Sequence, residues 1–311
     1  MLNKTHIGDC RKLLADFAAA GIRAQTCVTS PPYFGLRDYG HPDQIGLEPT
    51  PDEYVAKLVE VFREVRRVLR DDGTLWLNLG DSYARTGGTD RKVSATAKVG
   101  STRNTLIQMS DRTSRATTYG LKDKDLIGIP WRVAFALQAD GWYLRQDVIW
   151  HKPNPMPESV RDRFTKAHEY IFLLSKSPRY YFDHEAIKEP SVYADCGRPS
   201  KRKGEFKAKG EPLPGQLPFR AITETRNRRS VWTVPTRPYK GAHFATFPRA
   251  LIEPCILAGS RPGDVVLDPF MGSGTTAQVA TDLGRQFIGC EINPKYVELH
   301  ELRRTTIGMA I

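Results

Sequence analysis

The feature that most limits how this chain can fold is a rhythm. Short apolar runs of strand length alternate with amphipathic runs of helix length. Residues 5–10 (THIGDC) read as a short strand. Residues 11–20 read as a helix, with Leu13, Leu14 and Phe17 on one face and Gly21 as its stop. Residues 25–29 (QTCVT) form a second strand. The strongest helical pattern covers 51–70, where Pro51 suits the first turn and Val55, Leu58, Val59, Phe62, Val65 and Leu69 recur at helical spacing. A third strand follows at 74–79, a helix at 131–139, and two further strands at 143–150 and 170–174. The pattern resumes with a helix at 247–257, a strand at 264–268, a helix at 274–283, a strand at 286–291 and a last helix at 295–304. Parallel neighbours can be joined only by long crossovers, so this alternation predicts an α/β fold, a mainly parallel sheet with helices on both faces.

Two stretches break the rhythm. Residues 85–118 are rich in Ser, Thr, Gly and basic residues and have almost no apolar period, which predicts a long loop at about 85–120. Residues 185–232 carry still more Lys, Arg, Pro and Gly. The division that follows is 1–184, an inserted basic region at 185–235, and 236–311, with the first and last parts forming one domain. Charge now matters: 46 Lys and Arg against 35 Asp and Glu leave a formal +11, with a pI near 9.4. That surplus suits a polyanionic partner, since basic side chains gain affinity by releasing counterions from phosphates. Within the insertion, Lys201, Arg202 and Lys203 and then Arg226, Arg228 and Arg229 are candidate DNA contacts, with Trp232 nearby; the plainer alternative is a solvated face.

Hydrophobic residues make up 40% of the chain, which excludes a disordered, collagen-like or coiled-coil protein. The five cysteines are scattered without a Cys-x-x-Cys pair, so neither a zinc knuckle nor a redox pair is supported, and no metal site is expected. The polar N-terminus has no signal-peptide core and no apolar run is of membrane-spanning length, so a soluble cytoplasmic protein is expected.

Two turns at strand ends carry chemistry. Asp268-Pro-Phe-Met-Gly-Ser-Gly-Thr-Thr276 follows a buried strand and opens a helix. Ligands of doubly wound sheets sit beyond the carboxyl ends of strands. Glycines such as Gly272 and Gly274 let backbone approach them. Glu291 ends the next strand, at an offset where an acid can bind ribose hydroxyls. The third glycine of a dinucleotide fingerprint is replaced by Ala277, and no phosphate-binding P-loop is present. A ligand with ribose and a carboxylate but no phosphate is implied, and S-adenosylmethionine fits. The second turn is Ser30-Pro31-Pro32-Tyr33. Its prolines stiffen the backbone and remove two donors, leaving carbonyls, a hydroxyl and a ring. The Ser30 hydroxyl and the Pro31 carbonyl can accept from an exocyclic amine while Tyr33 stacks on an extruded base. Hydrogen bonds that hold such an amine pyramidal localise its lone pair for attack on a sulfonium methyl.

TSPPY followed much later by DPFMGSGTT resembles the amino-group (N4-cytosine or N6-adenine) DNA methyltransferases, with the motif order of their beta group. The resemblance covers most of the chain outside about 85–120 and 185–235. It implies a Rossmann-like, doubly wound, seven-stranded sheet with one antiparallel strand. Ser30, Pro31, Pro32 and Tyr33 match its catalytic motif; Asp268, Phe270, Gly272, Gly274 and Thr275 match the methionine-binding loop; Glu291 matches the ribose acid. Asp9 matches the acid near the cofactor adenine, and His243 to Pro248, with Phe247, resembles the segment closing over the cofactor. Residues 150–182 look like the strand pair and base-pocket loop. The resemblance implies S-adenosylmethionine as cofactor and double-stranded DNA as partner, without a membrane; it leaves a homodimer and a cognate restriction enzyme open.

Pro254-Cys255 looks like the nucleophile of cytosine-C5 enzymes, but it lies in an apolar run and reads as helix packing. His151 and His168 lack ligand partners at suitable spacing. Ser30, where adenine enzymes mostly carry Asp or Asn, favours cytosine N4 as target. Adenine N6, an RNA or protein amide, and a catalytically silent DNA-binding relative are the alternatives.

Overall fold

The structure is a computed structural model, and it describes residues 1–36, 38, 40–84, 121–191, 224–236 and 247–298. Ten strands are found among them: β1 (Lys4–Ile7), β2 (Ala24–Thr29), β3 (Leu69–Leu79), β4 (Tyr143–His151), β5 (His168–Ser175), β6 (Glu189–Pro190), β7 (Thr225–Arg226), β8 (Val231–Thr233), β9 (Val265–Asp268) and β10 (Gln286–Glu291). The main helices are α1 (Cys10–Ala19), α2 (Pro51–Val68), α3 (Ile129–Ala139), α4 (Arg249–Gly259) and α5 (Thr275–Asp282). The predicted loop at 85–118, Lys201, Arg202, Lys203, His243 and the end of the last predicted helix lie outside the described residues; 294–298 are helical.

Eight strands form one sheet in the order β1-β10-β9-β2-β3-β5-β4-β8. β5 alone runs antiparallel to its neighbours, β3 and β4. The implied count of seven is thus exceeded by one, and the reason is local. Residues 231–233, placed by the sequence reading in the basic insertion, pair in parallel with β4 at Ile149↔Val231, Trp150↔Trp232 and His151↔Thr233. Trp232 is buried there and its indole N–H donates to the Arg229 carbonyl at 2.7 Å, so it is a core anchor rather than a surface stacking platform. Just before it, β6 and β7 pair as a two-stranded ribbon, and the Ser191 amide donates to the Glu224 carbonyl at 2.8 Å.

Helix α2 shows how the local code works. Thr50 Oγ1 accepts from the Glu53 amide while the Glu53 carboxylate accepts from the Thr50 amide, a reciprocal cap, with Pro51 in the first turn. Tyr54, Leu58, Val61, Phe62, Val65 and Val68 are buried beneath it. The helix stops two residues before the predicted end, because Leu69 is already extended and paired with Ala24. One apolar cluster packs α1, α2 and α3 on one face of the sheet, and a second packs α4 and α5 on the other. Cys255 lies buried in α4 and burial drives its thiol well above the ordinary range, which fits packing and not nucleophilic attack.

From β2 the chain winds towards β3, and from β9 it winds the opposite way to β10, although β2 and β9 are neighbours. The two motif-bearing turns therefore leave the sheet side by side at its switch point, where doubly wound sheets open a crevice.

Candidate active site

At that switch point a cavity of about 700 Å³ opens. One end is walled by the turn after β9: Phe270, Gly272 and Thr275 line it together with Glu291. Asp268 stands behind this wall, fully buried. Thr29 Oγ1 and Thr276 Oγ1 each donate to it at 2.6 Å, and the Phe270 amide donates at 3.0 Å. Asp268 thus ties β2, β9 and α5 together and shapes the loop. Burial pushes its carboxyl up to about 6, with the two hydroxyls and the amide pulling the other way. Glu291 works similarly: its oxygens accept from the Gly272 amide at 2.8 Å and the Asn293 amide at 2.9 Å, and burial raises its pKa. Gly272 (φ 51°) and Gly274 (φ 78°) take left-handed backbone, so the loop folds back to start α5, with the Phe270, Met271, Gly272 and Gly274 amides bonded within the fold. A carboxylate that already accepts two amides retains lone pairs for a diol, so this end fits a ribosylated, phosphate-free ligand.

Asp9 also lines the cavity. It caps α1 through the Arg11 amide and is clasped by the Arg11 guanidinium, with the closest contact at 2.7 Å. Its carboxyl lies below the usual range: burial works against that, and the Arg11 side chain and amide outweigh it. Phe247 lines the same cavity, immediately before α4.

The other end holds Ser30, Pro31, Pro32 and Tyr33. The Pro32 carbonyl accepts from the Tyr54 hydroxyl at 2.8 Å, so α2 clamps the motif from below and that carbonyl is used in the fold. Tyr33 is held more tightly than its motif suggests. Its hydroxyl donates to Glu169 Oε2 at 2.7 Å and has Asn78 Oδ1 at 3.3 Å, and Asn78 Nδ2 donates to Glu169 at 3.2 Å. The other Glu169 oxygen meets the Lys152 ammonium, which lies 4.3 Å from the centroid of the Trp150 ring. Burial and the Glu169 charge keep the Tyr33 phenol protonated, well above its ordinary range. Gly80, at the end of β3, gives this ring its room: a Cβ there would sit 2.6 Å from Tyr33 Cε2.

The cavity thus brings together Asp9, Ser30 to Tyr33, Phe247, the 270–275 loop and Glu291, residues far apart in sequence. It does not include Arg226, Arg228 and Arg229. Arg226 and Arg229 converge on Glu189 at 2.8 and 2.7 Å, and Arg228 stacks over Trp232. Sequence reading passed over Asn78, Lys152, Glu169 and Gly80. The signal for the first three was strand position, since each lies at or just past the end of β3, β4 or β5 nearest the motif. No group of His, Cys, Asp and Glu that could hold a metal occurs among the described residues, and no helix among them is long and apolar enough to cross a membrane.

A model of the DNA methylase family with N6 and N4 specificities matches residues 24–302. The chain belongs to this DNA methylase family. It is 49% identical to the type II methyltransferase M.SmaI of Serratia marcescens over 96% of this chain and 90% of that one. It is equally similar to M.Cfr9I of Citrobacter freundii, over 94% and 84% of the two chains. Among solved structures, the PvuII cytosine-N4-specific DNA methyltransferase superposes with a TM-score of 0.61 at 19% identity, covering 96% of this chain and 85% of that one. The M1.HpyAVI complex with S-adenosylmethionine gives 0.55 at 19%, covering 96% and 98%. These two likenesses establish the Rossmann-like methyltransferase fold.

Proposed function

We propose that this DNA methylase transfers a methyl group from S-adenosylmethionine to the N4 amine of a flipped cytosine. The observation that carries the choice of base is Ser30 at the head of a Pro-Pro-Tyr turn facing the cavity. A neutral hydroxyl in a compact pocket suits the smaller base, whereas a carboxylate or amide there would accept more strongly from adenine. The cofactor, when bound, supplies a sulfonium methyl. Glu291 holds its ribose, Asp9 meets its adenine amine, and the loop from Phe270 to Thr275, fixed from behind by Asp268, receives its methionine end. His243 and Phe247 belong to the segment that closes over it. Ser30 and the Pro31 carbonyl accept from the target amine, and Tyr33 stacks on the base. Double-stranded DNA is bound through the basic insertion at 185–235, with Lys201, Arg202, Lys203, Arg226, Arg228 and Arg229 on phosphates, while 1–184 and 236–311 form the two halves of the catalytic domain. A cognate restriction enzyme is in keeping with the type II relatives. Nuclease digestion and mass spectrometry of DNA methylated by the purified protein test the choice of base. N4-methylcytosine is expected, and exclusive N6-methyladenine overturns it while leaving the family standing.

A further inference from the structure

A serine hydroxyl is a poor terminus for a proton. Methylation of an exocyclic amine leaves the nitrogen cationic until one proton departs, and at neutral pH a hydroxyl can take it only by passing its own proton on. The cavity offers four carboxylates, Asp9, Asp43, Glu169 and Glu291. Asp9 is paired with Arg11, which holds its carboxyl below the usual range, Glu291 is bound into the cofactor loop, and Asp43 is exposed. Glu169 alone among them is joined to the catalytic motif, by the 2.7 Å bond from the Tyr33 hydroxyl. Ser30 lines the same cavity three residues before Tyr33, and its hydroxyl acts on the phenol in the sense of a donor, working against burial. The phenol has one proton and gives it to the carboxylate, and so it can accept from Ser30. Three oxygens thus run from the substrate-facing serine to a carboxylate.

Resting on the reading of Ser30 as the group that meets the target amine, we propose that Glu169 is the proton acceptor of methyl transfer, reached through Ser30 and Tyr33 in series. The amine lone pair closes the nitrogen–methyl bond while the methyl–sulfur bond breaks and leaves its electron pair on sulfur. The cationic amine gives one proton to Ser30 Oγ, Ser30 gives its own to Tyr33 Oη, and Tyr33 gives its own to Glu169 Oε2. Glu169 ends as the neutral acid and resets by releasing that proton to water. It faces Lys152 from β4, Lys166 from the β4–β5 connection, His168 beside it on β5, Asn78 from β3 and Tyr33 from the turn after β2. Burial holds both Lys166 and His168 below their ordinary pKa values, and Lys152 is the cation paired directly with Glu169. Its ammonium fixes one carboxylate oxygen and leaves the other turned to the phenol.

Single-turnover methylation across pH, with cofactor and DNA affinities measured separately, tests the relay. Glu169→Gln keeps the shape and the acceptor for Tyr33 but cannot take a proton. Tyr33→Phe keeps the ring and removes the carrier. Each is expected to slow transfer by about 10²-fold with cofactor and DNA affinities unchanged, and the double variant is expected to be no slower than the worse single one. Glu169→Asp keeps a carboxylate and is expected to recover part of the transfer rate that Glu169→Gln loses. A Glu169→Gln rate within about threefold of wild type, or a Glu169→Asp rate no better than that of Glu169→Gln, overturns the relay. The product base is identified in the same samples. N6-methyladenine overturns the reading of cytosine without touching the relay, whereas N4-methylcytosine made at full speed by Glu169→Gln does the reverse.

Discussion

At the scale of single residues, the two ends of the cavity use polar groups in opposite ways. Asp268 is a buried acid that does not line the cavity, and its charge is expensive to keep there. Its pKa is raised from 3.8 to about 6 by burial. The folded state therefore holds its proton more tightly than the unfolded chain. Stability from this group is fully present below about pH 4 and is lost as pH rises through about 6, a difference of about 3 kcal/mol at neutral pH. Asp268→Asn should escape that loss. Its carbonyl can serve Thr29 and the Phe270 amide, while Thr276 must re-aim, at a cost of about 1 kcal/mol. Thermal melts are expected to show wild type and variant nearly level at pH 5 and the variant ahead by about 2 kcal/mol at pH 8; parallel profiles would show that Asp268 is not the source of the slope. Ser30 lines the cavity, and in the proposed reaction its hydroxyl meets the substrate amine instead. Ser30→Ala is expected to cut turnover by about 10²-fold or more, with the cofactor dissociation constant unchanged in calorimetry, because the lost hydroxyl acts only when the amine reacts. A matching loss of cofactor affinity would place Ser30 in the wrong half of the site.

Elements decide which of these residues meet. Most of the α/β order is legible in the sequence because a core-facing helix must repeat apolar residues at 3.6 and a buried strand must be apolar throughout. Thus 286–291 is read as a strand with the bounds it has in the structure, and 51–70 as a helix that overshoots by two residues. The two motifs are legible because their residue types are unusual and contiguous. Val231–Thr233 is missed because three residues carry no period, and only pairing with β4 makes them a strand. Asn78, Lys152 and Glu169 are missed because each is one polar residue near the end of a different strand, and their convergence depends on the sheet order β3-β5-β4, in which Glu169 on β5 comes between the other two. Gly80 belongs to the same class. It leaves β3 where the Tyr33 ring passes, and the ring, pinned by Glu169 and Asn78, cannot swing away. Gly80→Ala should therefore displace Tyr33 and lower turnover at least tenfold, at a stability cost of about 1–3 kcal/mol for the overpacked contact. Methylation assays beside urea melts check it, and full activity would mean that the strand end yields rather than the ring.

On the scale of the whole molecule, the sheet separates two tasks. The switch point between β2 and β9 holds the cavity, while beyond β4, at the opposite edge from β1, β8 anchors the return of the basic stretch. β6 and β7 pair Glu189 with Arg226 and Pro190 with Thr225. Arg226 and Arg229 meet at Glu189 there, and Arg228 covers Trp232. Two of the three cations share one carboxylate and the third has none in contact, so the group carries a surplus of two charges, and Arg229 keeps 67% of its side chain exposed. Phosphates can draw on that surplus. Replacing Arg226, Arg228 and Arg229 by Gln should weaken DNA binding and flatten the slope of log K against log salt by about 2. Cofactor affinity should be unchanged, since none of the three lines the cavity. Glu189→Gln should act in the opposite sense, releasing two guanidinium groups and tightening DNA binding at low salt. Salt-titrated binding of the two variants is informative as a pair. If both leave slope and affinity as in wild type, the arginines serve only to close the ribbon over Trp232, and the phosphate contacts of this +11 chain must come from elsewhere on its surface.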